Sequence, residues 1–81
     1  MPEYSIPYPV IDLMATGKNL SRLRLENGFT VSGLQEYLGL ASPQSLYKWF
    51  RGESLPTVDN LLALSKLFGV AINDMLVERK D

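Results

Sequence analysis

The residues of this chain with the most chemistry to offer stand in one short run, "ASPQSLYKWFRG", residues 41–52. Gln44 brings an amide, Ser45 a hydroxyl, Tyr47 a phenol, Lys48 an ammonium and Arg51 a guanidinium. These groups donate and accept hydrogen bonds and carry positive charge, the repertoire that meets base edges and phosphates. Stepping about 100° per residue puts Leu46, Trp49 and Phe50 on one arc of a helix and Gln44, Tyr47, Lys48 and Arg51 on the opposite arc, with Ser45 at the border. An ordinary solvated helix face has the same pattern, so the surrounding sequence decides what the polar arc is for.

Composition removes most other chemistry. The 81 residues contain no cysteine and no histidine, which excludes thiol chemistry, disulfides, His-based acid/base catalysis and the usual zinc ligand sets. Carboxylates are present, but none is paired at a spacing that reads as an acid/base or metal site. No enzymatic activity, cofactor or metal is therefore expected. The sequence shows neither a basic region leading into an apolar run nor an apolar stretch of bilayer-spanning length, so a cytoplasmic protein without a membrane partner is expected. The length allows one small domain and no separate sensor domain, so no small-molecule effector is expected within the chain.

The formal net charge is -1, but the charges are unevenly spread. Residues 18–51 carry Lys18, Arg22, Arg24, Lys48 and Arg51 against Glu26 and Glu36, an excess of three positive charges. The rest of the chain is acidic by four. Such asymmetry permits a basic face on an acidic protein.

The elements that must position the polar arc follow from periodicity and helix-end chemistry. Residues 1–16 read as an extended N-terminal arm. Tyr4, Ile6, Tyr8 and Val10 alternate, while Pro7 and Pro9 lack the N–H that a central strand needs. The arm either packs along the domain, hangs loose or joins a second subunit. A first helix spans 17–27, with Leu20 and Leu23 inward and Gly28 ending it. Thr30 caps a second helix with Val31, Leu34 and Leu38 on one face and Gly39 at its end. The third helix is the run described above, with Ser42 as its cap, Pro43 at its first position and Gly52 closing it. Thr57 caps a fourth helix to Phe68, whose Val58, Leu61, Leu62, Leu64, Leu67 and Phe68 wrap most of its circumference. It is either the central core helix or a helix with a second apolar face. A short fifth helix covers 73–77, and residues 78–81 form a solvated tail. The result is an all-α, compact five-helix bundle.

Residues 17–77 also resemble a known family, the Cro/C1-type or xenobiotic-response-element-like helix-turn-helix domains. The matching pieces are "LSRLRLENGFT" (20–30), "LQEYLGL" (34–40), "SLYKWFRGESLPTVDNLLALSKLFGV" (45–70) and "INDML" (72–76). The resemblance implies a lambda-repressor-like domain in which the second helix crosses the DNA backbone and the third lies in the major groove. Carried over by position, it implies that Gln44, Ser45 and Tyr47 read base edges and that Thr30, Ser32, Lys48 and Arg51 contact phosphates. Three positions depart from the family's pattern. One extra residue separates Gly39 from Gly52, leaving Gln44 and Ser45 as alternatives for the leading side chain. Gln35 replaces a small residue between the two helices. Phe50 replaces the acidic partner of Arg24, which must turn to Glu53, Glu36 or an aromatic face.

The expected function is sequence-specific binding of double-stranded DNA as a small transcriptional regulator, acting as a homodimer. The alternative is a protein-interaction or antitoxin-like module on the same fold. The aromatic arm, the altered turn and the weak net charge favour that alternative.

Overall fold

A computed structural model describes residues 7–80, so Tyr4, Ile6 and Asp81 lie outside the described residues. Five helices follow one another: α1 (Leu13–Glu26), α2 (Val31–Leu38), α3 (Gln44–Phe50), α4 (Val58–Phe68) and α5 (Ile72–Met75).

α1 begins four residues earlier than the sequence suggested. The Asp12 carboxylate accepts the Ala15 N–H at 2.9 Å and caps a helix whose first turn is residues 13–16, the stretch read as the end of the arm. Gly17 is therefore inside the helix, and it is buried. A Cβ built there would lie 2.4 Å from the Trp49 carbonyl oxygen and 2.7 Å from that of Phe50. The glycine lets α1 rest directly on the last carbonyls of α3.

α2 is capped as expected, with the Thr30 hydroxyl accepting the Gly33 N–H at 2.9 Å and Gly39 left-handed at its end. At α3 the capping differs from the expectation. Pro43 takes the cap position, and Ser42 Oγ accepts the Gln44 N–H at 3.4 Å, longer than a well-formed bond. Thr57 caps α4 and Gly69 closes it. α5 spans Ile72–Met75 rather than 73–77, because the chain becomes extended at Leu76.

The core is one cluster of Leu20, Leu23, Leu34, Leu46, Trp49, Leu64, Phe68 and Met75, with Leu38, Leu61 and Phe50 packed against it. Each fully buried leucine contributes on the order of 1.5–3 kcal/mol relative to exposure. α4 supplies Leu64 and Phe68 to this core, while its Val58 and Leu62 stay exposed. It is both the core helix and the bearer of a second, smaller apolar face.

Residues 10–12, at the end of the expected arm, pair with residues 77–79, while Tyr8 stays exposed. The Asp12 N–H donates to the Val77 carbonyl at 2.8 Å and the Arg79 N–H to the Val10 carbonyl at 2.7 Å. Between these bonds Ile11 and Glu78 form an isolated antiparallel bridge. The buried Thr16 hydroxyl accepts the Val77 N–H at 2.9 Å. The Asn19 amide donates to the carbonyls of Asp74 and Met75 at 2.9 and 3.0 Å. The end of α5 and Val77 just after it are thus held to α1 by side chains that the helix presents at i and i+3.

Among the described residues no helix is long and apolar enough to cross a membrane, and no group of three or more His, Cys, Asp or Glu side chains could hold a metal ion.

Candidate nucleic-acid interface

α3 is seated by its apolar arc. Leu46 is fully buried and Trp49 nearly so, while Phe50 is half-buried against the cluster. With that arc fixed, the opposite one faces outward: Gln44, Tyr47, Lys48 and Arg51 are exposed and Ser45 is half-buried. The two arcs drawn from helical periodicity are the two faces the structure builds.

Thr30 and Ser32, at the start of α2, are exposed as well. The Thr30 oxygen accepts from Gly33, which leaves its hydroxyl hydrogen free to donate. Two of the departures from the family's pattern, at Gln35 and at Phe50, have specific outcomes. The Gln35 amide reaches the Leu40 carbonyl at 3.4 Å, bonding the turn rather than α3. Arg24 takes the aromatic face, its guanidinium carbon 5.5 Å from the Phe50 ring centroid. It also donates to the Phe29 carbonyl at 2.9 Å, and its buried Nε has no hydrogen-bond partner.

One neighbour of the polar arc was missed from the sequence. Glu53 accepts a hydrogen bond from Arg51 Nε and forms an ion pair with it. That hydrogen bond holds the Glu53 carboxyl below its ordinary range, against a smaller opposing effect of desolvation, and the charges of Arg51 and Lys48 add to the lowering. Arg51 is correspondingly pushed above its usual range, by the same hydrogen bond first. The signal available was a glutamate just past the glycine that ends the helix.

A short helix against a second across a tight turn, with a buried inner arc and a polar outer one, defines a helix-turn-helix domain. The chain belongs to the helix-turn-helix family, whose model HTH_3 matches residues 20–75. Among solved structures it is similar to the restriction-modification controller protein C.AhdI from Aeromonas hydrophila, at 23% identity and a TM-score of 0.68, covering 79% of this chain and 96% of that one. The clp gene regulator ClgR from C. glutamicum matches at 26% identity and a TM-score of 0.64, covering 76% and 79%. The hydroxypropylphosphonic acid epoxidase from S. wedmorenis also matches, at 20% identity and a TM-score of 0.70. The match covers 80% of this chain but only 34% of the epoxidase, and the likeness is one of fold. No curated protein sequence matches the chain.

Proposed function

We propose that the chain is an intracellular, sequence-specific double-stranded DNA-binding protein and a small transcriptional regulator that binds as a homodimer with α3 in the major groove. The observation that carries this reading is the outer face of α3, where Gln44, Tyr47, Lys48 and Arg51 are exposed while Leu46 and Trp49 lock the helix to the core. Family membership supports it, as do similar structures that include a controller protein and a gene regulator.

In this reading Gln44 and Ser45 lead into the groove and Tyr47 follows, an amide being suited to bidentate contact with adenine. Lys48, Arg51, Thr30 and Ser32 meet phosphates on either side and set the register. Two copies place their third helices about 34 Å apart on a near-palindromic site.

Lys48→Ala is expected to weaken binding to every duplex and to lower the log–log salt slope by about 1. Gln44→Ala is expected to cost about 1–3 kcal/mol at one base position and to relax the preference there. Anisotropy titrations against duplexes selected from a random pool measure both. Wild-type behaviour in both variants rules α3 out as the reader. The mass of the complex on a selected site distinguishes two copies from one.

The alternative of a protein-interaction module draws on the exposed apolar side chains of Tyr8, Leu13 and Met14 near the start of the described chain and of Val58 and Leu62 on α4. It predicts shallow salt dependence against random duplex, where a binder neutralising several phosphates shows a steep one.

A further inference from the structure

Glu53 sits just beyond α3, and the backbone holds it there. Its N–H donates to the Lys48 carbonyl at 2.9 Å and the Gly52 N–H to that of Trp49 at 3.1 Å. Gly52, left-handed at φ 75°, turns the chain back toward α3. A Cβ on Gly52 would lie 2.8 Å from Met14 Cα, so the turn is pressed against the first turn of α1. The backbone position of Glu53 is therefore set by the fold, two residues beyond Arg51 and with both side chains at the surface.

From that seat the carboxylate engages Arg51 through Nε alone. Arg51 and Lys48 are the two cations of the outer face of α3. A carboxylate and a phosphate oxygen ask the same thing of a guanidinium, so the free protein already satisfies Arg51 with an anion of its own.

We propose that Glu53 is an internal competitor for the DNA phosphate at Arg51, one that lowers the sequence-independent share of duplex binding. The inference rests on the reading of α3 as the helix that meets DNA. A docking duplex draws Arg51 away from Glu53, and the freed carboxylate faces both the phosphate and Lys48. Phosphate contacts reward every sequence alike, so weakening them leaves base-edge contacts with a larger share of the total.

The test is anisotropy against a random-sequence duplex over a range of salt, with the wild type, Glu53→Gln, Glu53→Ala, Arg51→Ala, Lys48→Ala and the double variant Arg51→Ala/Glu53→Gln. Thermal melts establish that each variant is folded. Competition predicts that Glu53→Gln and Glu53→Ala bind about two- to fivefold more tightly at low salt, the range that an exposed ion pair supports. It predicts a log–log salt slope no shallower than that of the wild type, because every phosphate contact is kept. It also predicts a clearly smaller gain in the Arg51→Ala background. Wild-type or weaker binding by both Glu53 variants overturns the proposal, as does an equal gain with and without Arg51. If Lys48→Ala and Arg51→Ala both bind like the wild type, the reading of α3 fails first and the competition falls with it. That pattern is distinct from a failure of Glu53 alone.

Discussion

Arg24 and Arg51 differ in how far their partners could be read from sequence. For Arg24 the missing acidic residue at position 50 narrowed the choice to three partners, and the ring of Phe50 is the one it uses. Linear spacing could not choose among them, because the distance between the end of α1 and the end of α3 is set by packing. Arg51 and Glu53 were not paired from sequence because residues two apart on a helix do not face each other. They meet only because Gly52 breaks the helix between them. The Phe50 ring also packs on the core, so Phe50→Leu is expected to lower stability by about 1–2 kcal/mol through lost cation–π attraction and imperfect repacking. Urea denaturation checks this, and Phe50→Trp, which keeps a ring face, should lose less.

At the scale of elements, local chemistry was legible wherever it decided the outcome. Thr30 and Thr57 cap the helices they were expected to cap, and Gly39 and Gly69 end them. Leu34, Leu46, Leu64 and their neighbours fill the core that their periodicity implied. Reading failed where a residue's role is fixed by another element. Gly17 looked like a helix start and is the contact point of α1 with α3. α5 ends where the tail turns to meet α1, which four residues of local sequence do not encode. Gly17→Ala tests the contact. Helix propensity favours alanine by about 1 kcal/mol, but the added carbon meets two backbone carbonyls that cannot rotate aside. The expected outcome is a net loss of about 1–3 kcal/mol, typical of overpacking, read as a lower melting temperature. Gly33→Ala is the control, since its Cβ meets only the Thr30 hydroxyl, at 3.1 Å.

The whole molecule is held by contacts that no window of sequence contains. The bond between Thr16 and Val77 joins residues 61 apart, and the segment 10–12 lies beside 77–79. The alternation of Tyr8 and Val10 signalled an extended backbone there but could not name its partner. Thr16→Val keeps the shape of the side chain and leaves the Val77 N–H without its acceptor, at an expected cost of about 1–3 kcal/mol. Hydrogen exchange at Val77 and Asp12 should accelerate before exchange in α3 and α4 does.

The antiparallel bridge of Ile11 with Glu78 also governs how the domain bears a mechanical load. Chain entering before residue 10 and chain leaving after residue 79 diverge from the same side, so tension across them opens the Arg79–Val10 bond first and the Asp12–Val77 bond next. The bonds break one at a time in peeling rather than together in shear, and the pulling force reaches the helical core only after the pair has parted. A tether attached at both ends would therefore register a weak early step before the domain itself gives way.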